Sequence, residues 1–189
     1  MSEKKGIYVG LVHYPVYNKH KEVVVASITT IDIHDFSRIA RTYGVDKVYV
    51  VTPLKAQQEL ARKMFSHWMS GYGAGYNPTR KEAISRIGVN DSVEEVIREI
   101  ESLHGKGPKV IITGAKAYKK CISYEEAREM TRKEGPVLIL FGTGWGLEKS
   151  LVEKADFVLA PIQGNTDYNH LPVRAAAAIA IDRILGDRD

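Results

Sequence analysis

Short runs of β-branched and aliphatic residues alternate along the chain with stretches of helical periodicity, and this alternation constrains the fold more than any other feature. Continuous apolar strands separated by helices are typical of a parallel sheet that is covered on both faces. The sequence therefore predicts an α/β fold with a parallel sheet flanked by helices. The predicted strands span residues 7–12, 23–29, 47–51, 83–89, 109–113, 137–141 and 157–160.

Capping residues indicate where the intervening helices begin and end. Ser92 and Ser123 are suited to begin a helix, and Gly44 is suited to end one, since serine caps free N–H groups and glycine adopts the left-handed conformation. The tyrosine- and glycine-rich segment 70–80 is predicted to be a loop. The predicted helices span residues 33–43, 55–69, 93–103, 124–133 and 172–185.

Composition is that of an ordinary globular protein, because 44% of the residues are hydrophobic and 26% are charged. The 189 residues are expected to form one domain over 1–189. The formal net charge of +4 permits an anionic partner without requiring one. No apolar run approaches ~20 residues, so no membrane span is expected. The single cysteine, Cys121, is compatible with a reducing cytoplasm, where we expect the protein to be.

Two glycine-bearing loops near the C-terminus are the candidate ligand site. The first, 141–147, reads FGTGWGL, and the second, 161–170, precedes an alanine-rich helix. Each loop follows a predicted strand, and parallel sheets bind ligands at the carboxyl ends of their strands. We therefore expect a small-molecule cradle, which a β-branched side chain at Gly142 or Gly164 would fill.

Known nucleotide-binding motifs do not account for these loops. The first loop departs from the dinucleotide fingerprint because Leu147 stands where the third glycine belongs. A Walker loop is excluded because the chain has no Gly-Lys-Ser or Gly-Lys-Thr sequence. A structural alternative stays open for each feature: the first loop as a tight turn, and the alanine-rich helix as ordinary close packing.

Together the two loops resemble the C-terminal half of the SPOUT superfamily of S-adenosylmethionine-dependent RNA methyltransferases. The family's second motif corresponds to LILFGTGWGL at 138–147, and its third to Ile162, Gly164 and LPVRAAAAI at 171–179. The resemblance implies a trefoil knot over about residues 110–185, whose loops bind S-adenosylmethionine. It also implies a homodimer. The cofactor contacts that it implies are Thr113, Gly114, Phe141, Gly142, Thr143, Gly144, Gly146, Leu147, Ile162, Gly164, Tyr168, Asn169, Leu171 and Val173.

The family's first motif also has a counterpart near the N-terminus. An asparagine, an arginine and a glycine at intervals of six residues correspond to Asp32, Arg38 and Gly44. Arg38 thus matches the family's substrate-side arginine, which the family can supply from the second subunit. The alternative is that Arg38 and Arg41 belong to a solvated helix face.

The catalytic base and the acceptor atom stay open at this stage. His170 and Asp167 are both candidate bases on the second loop, although a loop or capping role for His170 is an equal alternative. Pro172 and Arg174 replace polar residues of the ribose-methylating pattern, so a base nitrogen and a ribose 2′-hydroxyl are both possible acceptors. Further candidates for the acceptor side are His13, Tyr14 and His34.

A basic segment is the candidate RNA-binding surface. Arg62, Arg80 and Lys81 flank the tyrosines of 71–76, and Arg41 lies on the helix before them. Aromatic residues interleaved with cations suit stacking on unpaired bases, whereas the alternative is a solvated helix face beside an exposed loop.

The sequence thus predicts a metal-free, S-adenosylmethionine-dependent methyltransferase that acts on tRNA or rRNA. Two other classes stay open: a non-catalytic RNA-binding protein of the same fold, and an enzyme that acts on a small nucleotide or on protein.

Overall fold

The structure is a computed structural model that describes residues 6–116, 121–133 and 135–187. Within these ranges nine strands and eight helices are present. The strands are β1 (Ile7–Val12), β2 (Val16–Tyr17), β3 (Val23–Val24), β4 (Lys47–Val51), β5 (Ile87–Asn90), β6 (Lys109–Ile112), β7 (Cys121–Ile122), β8 (Val137–Gly142) and β9 (Phe157–Leu159). The helices are α1 (Thr30–Tyr43), α2 (Lys55–Met69), α3 (Tyr72–Tyr76), α4 (Pro78–Ile84), α5 (Val93–His104), α6 (Tyr124–Lys133), α7 (Lys149–Lys154) and α8 (Val173–Leu185).

Seven of the strands form one sheet in the order β5-β4-β1-β8-β6-β9-β7. All pairings in this sheet are parallel. The strands β2 and β3 form a separate antiparallel hairpin. The predicted parallel sheet is therefore confirmed, and β1 lies in its interior with β4 on one side and β8 on the other.

Helices cover both faces of the sheet, as the apolar strands predicted. Alternate residues of the strands enter two separate cores, because successive side chains of a strand point to opposite faces. On one face Val9 and Ile139 pack with residues of α1 and α8 such as Phe36 and Ala177. The second core contains Tyr8, Val12, Leu138 and Leu140 from the strands, and residues of α5 and α7.

Local signals predicted most helix ends correctly. Gly44 ends α1 in the left-handed conformation, with a φ of 70°, and Gly105 ends α5 in the same way. Ser123 and Glu126 form a reciprocal capping box at the start of α6, with backbone-to-side-chain distances of 2.7 and 3.1 Å.

Four predicted elements differ from the structure by more than one residue. The helix predicted over 33–43 begins at Thr30, because the Thr29 side chain caps it. Only Val23–Val24 of the predicted strand 23–29 is extended in a sheet, because Ala26 and Ile28 donate their N–H groups to His13 O and to the Gln57 side chain instead. The predicted strand 83–89 begins only at Ile87. The predicted loop 70–80 contains α3 and the start of α4, which Asn77 caps by accepting a hydrogen bond from the Arg80 backbone N–H.

Three other short elements were not predicted, namely β2, β7 and α7. No helix in the described ranges is long and apolar enough to cross a membrane.

Candidate active site

A cleft of about 700 Å³ opens where the loops after β6, β8 and β9 meet, beside the end of β1. Every predicted cofactor residue except Gly164 lines it. These residues are Thr113, Gly114, Phe141, Gly142, Thr143, Gly144, Gly146, Leu147, Ile162, Tyr168, Asn169, Leu171 and Val173.

The β2–β3 hairpin fixes the shape of the first glycine loop. Trp145 donates its backbone N–H to Tyr17 O at 2.8 Å, and Tyr17 donates to Gly146 O at 2.9 Å. Gly144 has a φ of 58°, and a Cβ atom there would lie 2.8 Å from Tyr17 O, so this position requires glycine. The loop is further tied to β1, because Thr143 donates its hydroxyl to Val12 O at 2.9 Å. Backbone contacts therefore hold this wall of the cleft.

Side-chain hydrogen bonds join the other two loops to it. Thr113, at the end of β6, donates its hydroxyl to Leu140 O at 2.9 Å. Asn169, in the loop after β9, donates its amide to Ala115 O at 2.6 Å. Successive strands of the C-terminal half thus contribute loops that are bonded to one another, and a single concave surface results.

Aromatic side chains stand at the mouth of the cleft. Trp145 is 67% exposed and Tyr168 is 71% exposed, although both line the cleft. Trp145 and Tyr17 were not among the predicted site residues. The position of Trp145 inside a glycine-rich loop was a usable signal, whereas the role of Tyr17 depends on contacts across the fold.

His13 lies in the wall of the cleft on the β1 side. Its side chain is fully buried, and within the described residues neither ring nitrogen has a hydrogen-bond partner. Burial lowers the pKa of His13 to about 4, and the Asp32 carboxylate opposes this shift only in part. The imidazole is therefore neutral near pH 7, with one donor and one acceptor.

Two of the departures from the ribose-methylating pattern, Asp32 and Arg174, pair with each other. Arg174, at the start of α8, donates from Nη1 to Asp32 Oδ1 at 3.0 Å, and its Nε lies 3.2 Å from Asp35 Oδ2. Asp32 lines the cleft and is almost fully buried, and its second oxygen accepts from the Thr29 hydroxyl at 2.5 Å. This ion pair joins the first turns of α1 and α8 at the edge of the cleft.

The candidate catalytic residues separate into two groups. His170 lines the cleft and packs edge-on against Tyr168, with ring centroids 5.7 Å apart. Asp167, like Gly164, lies outside the residues that line it. Arg38 also lies outside, on an exposed part of α1, and forms no hydrogen bond or ion pair within the described chain. Of the other acceptor-side candidates, Tyr14 and His34 are likewise absent from the lining.

The candidate RNA-binding residues lie together on the packed helices α1, α2 and α4. Arg41 forms an exposed ion pair with Glu82 at 2.6 Å. Arg62 donates to Gln58 Oε1 at 3.2 Å, and Lys81 is exposed. Arg80 lies over the Trp68 ring, 5.4 Å from its centroid, and contacts His34 Nδ1 at 3.1 Å.

The cleft has the features that S-adenosylmethionine requires. Its volume lies in the usual range for small-molecule sites, about 300–1,000 Å³. Phe141, Leu147 and Ile162 offer apolar walls for an adenine ring, and Gly142 and Gly114 leave main-chain groups accessible beside them. The described residues contain no group of three or more His, Cys, Asp or Glu side chains that could hold a metal ion.

Comparison with known sequences gives the family directly. A family model described as SAM-dependent RNA methyltransferase matches residues 6–186. A tRNA (guanine-N(1)-)-methyltransferase of Oleidesulfovibrio alaskensis is 43% identical over 183 residues, which is 97% of this chain but only 43% of that relative. An uncharacterized protein of Aquifex aeolicus is 37% identical over 95% of this chain and 88% of its own length.

Solved structures share the fold at low sequence identity. The A. aeolicus TrmH/SpoU tRNA modifying enzyme has a TM-score of 0.57 at 16% identity, covering 97% of this chain and 75% of that one. TrmJ from Z. mobilis has a TM-score of 0.62 at 19% identity, with coverage of 95% and 68%. An AdoMet-bound rRNA methyltransferase from Sinorhizobium meliloti has a TM-score of 0.55 at 17% identity, with coverage of 95% and 55%.

These structural likenesses confirm the predicted SPOUT-type α/β fold, and the family match extends over almost the whole chain. The chain belongs to the family of S-adenosylmethionine-dependent RNA methyltransferases.

Proposed function

We propose that this chain transfers a methyl group from S-adenosylmethionine to an RNA, and that the cleft at the ends of β6, β8 and β9 is the active site. The observation that carries the proposal is the convergence of three loops on one cleft, where side chains of these loops donate hydrogen bonds to neighbouring main-chain carbonyls. Such a preorganised site holds donor and acceptor in line, which is the main requirement for methyl transfer.

Different residues of the cleft would hold the cofactor and remove the proton of the acceptor. Bound S-adenosylmethionine supplies a methyl group that its sulfonium has already activated. The apolar walls Phe141, Leu147 and Ile162 would hold the adenine, and the ties of Thr143 and Asn169 keep the loops in place. His170 lines the same cleft, so we assign to it the removal of the acceptor proton in preference to Asp167.

Arg38 does not line the cleft of its own chain and lies on an exposed part of α1. We therefore infer a homodimer in which Arg38 serves the cleft of the second subunit. The test mixes Arg38→Ala protein with His170→Ala protein: the mixture should recover methyl transfer that neither variant has alone. A mixture as inactive as its components would place Arg38 elsewhere.

We further infer one domain over 1–189 and a trefoil knot over about residues 110–185. The bond between Asn169 and Ala115, which joins the loops after β9 and β6, supports this path of the chain. A cytoplasmic location is inferred from the single cysteine and from the RNA substrate.

Fewer observations bear on whether the substrate is tRNA or rRNA, and on whether the methyl acceptor is a base or a ribose. The O. alaskensis relative is named for tRNA guanine N1, but more than half of its length lies outside the match. Its named activity can therefore reside in the part of the relative that lies outside the match. We propose RNA as the substrate class and leave the nucleotide to experiment.

The first experiment is calorimetric titration with S-adenosylmethionine, with NAD and ATP as controls. We expect saturable binding of the methyl donor alone, followed by transfer of radiolabelled methyl to a fraction of total RNA. No binding of the donor would contradict the assignment of the cleft. Binding without transfer to any RNA would favour a non-catalytic RNA-binding protein, a candidate suggested by the mutual pairing of Asp32 and Arg174.

A further inference from the structure

Two tyrosine rings stand together on the surface of α3. Tyr72 and Tyr76 are stacked, with ring centroids 5.8 Å apart and an interplanar angle of 21°. They are 81% and 74% exposed, which is unusual for two adjacent large aromatic side chains. Their spacing of four residues places them on the same face of the helix. We call this pair the tyrosine platform.

The helix beneath the platform is firmly supported. Gly73 is buried against Trp68, and a Cβ atom there would lie 2.8 Å from Trp68 Cε3. The Trp68 ring is in turn held between His34 and His67, at centroid distances of 5.5 and 5.3 Å, and under Arg80. The exposed rings are thus carried on a packed base, and their exposure is a property of the fold.

The surroundings of the platform are positively charged. The segment 56–86 contains five arginine or lysine residues and two acidic residues, so most of the chain's net charge of +4 is concentrated there. Arg62, Lys63 and Lys81 are exposed, and the two lysines form no hydrogen bond or ion pair within the described chain. An anionic partner is therefore favoured over an apolar or a cationic one.

The first turn of α1 connects this surface to the cleft. Asp32 lines the cleft, and His34, two residues later, contacts Arg80 and Trp68. Trp68 in turn supports the platform, because Gly73 packs on its ring. The same chain of RNA can therefore contact the platform and present a nucleotide to the active site.

We propose that the tyrosine platform stacks on an unpaired nucleotide of the RNA substrate, while the surrounding lysines and arginines contact its phosphates. This inference rests on the proposed function, and it narrows the substrate to RNA with a single-stranded segment beside the target. A base in a duplex has its faces covered by its neighbours, so only an unpaired base offers a free face to the exposed rings.

The test uses the full chain and fluorescence anisotropy with a labelled single-stranded RNA and a duplex of the same sequence. The Tyr72→Ala/Tyr76→Ala double variant should bind the single strand about tenfold more weakly or worse, and bind the duplex as the unchanged protein does. The Tyr72→Phe/Tyr76→Phe variant should retain binding, because phenylalanine keeps the stacking face. Leu103→Ala, at an exposed position on α5, is the matched control.

Two further readouts separate stacking from general loss of function. The alanine variant should keep the salt dependence of RNA binding, since it removes no phosphate contact, whereas Lys63→Ala/Lys81→Ala should reduce the slope by about two. Calorimetry with S-adenosylmethionine should give the same affinity for all variants. If the alanine variant bound duplex and single-stranded RNA equally weakly, or bound both normally, the proposed stacking on the platform would be wrong. Failure of cofactor binding with intact tyrosine-dependent RNA binding would instead overturn the proposed methyl transfer.

Discussion

The cleft and the tyrosine platform are both linked to α1, the cleft through Asp32 and the platform through Trp68 and His34, yet they are built in opposite ways. Main-chain hydrogen bonds from Tyr17 and Thr143 shape the cleft, and two of its titratable groups, His13 and Asp32, are buried. The platform consists of exposed rings and exposed cations. We therefore expect the cleft to select its ligand by shape, whereas stacking on the exposed rings of the platform tolerates different bases.

The largest effect is expected from Gly142→Val. A Cβ atom at Gly142 would lie 2.8 Å from Leu147 Cγ and 3.0 Å from Leu147 N, so the added side chain must displace the loop. Affinity for S-adenosylmethionine should fall at least 100-fold, about 3 kcal/mol, in calorimetry.

Gly164→Val is the matched control for this substitution. The added Cβ contacts nothing within 4 Å, and Gly164 does not line the cleft. We therefore expect near-normal affinity, in contrast to the sequence-based expectation that both substitutions fill the cradle. An equal loss of affinity in the two variants would contradict this explanation. It would show that a branched residue in either loop weakens binding, whatever that residue contacts.

Burial of His13 should make the free energy of unfolding depend on pH. Its folded pKa of about 4 lies below the ordinary value of 6.5, so the unfolded chain takes up a proton first as the pH falls. Stability is fully present above pH 6.5 and is lost progressively toward pH 4. The loss should total about 3 kcal/mol, at 1.36 kcal/mol per pKa unit.

The measurement is the free energy of unfolding in urea between pH 4 and pH 7. His13→Asn should flatten this dependence, because the asparagine side chain does not take up a proton in this range. Parallel curves for the unchanged protein and His13→Asn would mean that His13 is solvated in solution.

The ion pair between Arg174 and Asp32 should contribute less to the free energy of unfolding than the burial of His13 does. Arg174→Ala leaves the buried Asp32 carboxylate with Thr29 as its remaining side-chain partner. Urea unfolding should show a loss of about 2 kcal/mol, less than for a fully buried pair because Arg174 is itself partly exposed.

The exposed pair of Lys133 and Glu129 on α6 provides the control, and Lys133→Ala should have no measurable effect on unfolding. A double variant, Asp32→Asn/Arg174→Ser, restores the neutral residues of the ribose-methylating pattern. It should lose less stability than the sum of the single changes, because no charge is left unpaired. Strict additivity would show that the two side chains are not coupled.

The smallest effect is expected at the rim of the basic surface. Arg41 is already paired with Glu82, and both side chains are exposed. Arg41→Ala should leave the free energy of unfolding unchanged within error, and it should lower the salt slope of RNA binding by at most about one. A larger change in slope than that of Lys81→Ala would indicate that RNA displaces Glu82.

Local sequence signals predicted those parts of the molecule that depend on neighbours in the chain. The spans of β1, β4, α2 and α6 were correct to the residue, and the glycine loops were placed at the ends of their strands. Apolar runs, capping residues and glycines determine the structure of residues only a few positions away. Their effects can therefore be predicted from one sequence.

The remaining features depend on residues that are far apart in the sequence. Tyr17 holds Trp145 and Gly146, and Arg174 pairs with Asp32 across 142 positions. The helix α3 was predicted as a loop because its glycines disfavour helix, whereas the packing of Gly73 on Trp68 favours it. No periodicity in the sequence reports such contacts, so the burial of His13 and the support of the platform were not predictable.

The position of β1 inside the sheet has a consequence for biosynthesis. One neighbour, β4, leaves the ribosome soon after β1, but the other, β8, follows more than a hundred residues later. At about 5–20 residues per second, β1 waits roughly ten seconds with one edge unpaired. An unpaired apolar strand edge invites pairing with other chains. We therefore expect a nascent-chain chaperone, or slow translation before β8, to matter more for the yield of this protein than its final stability does.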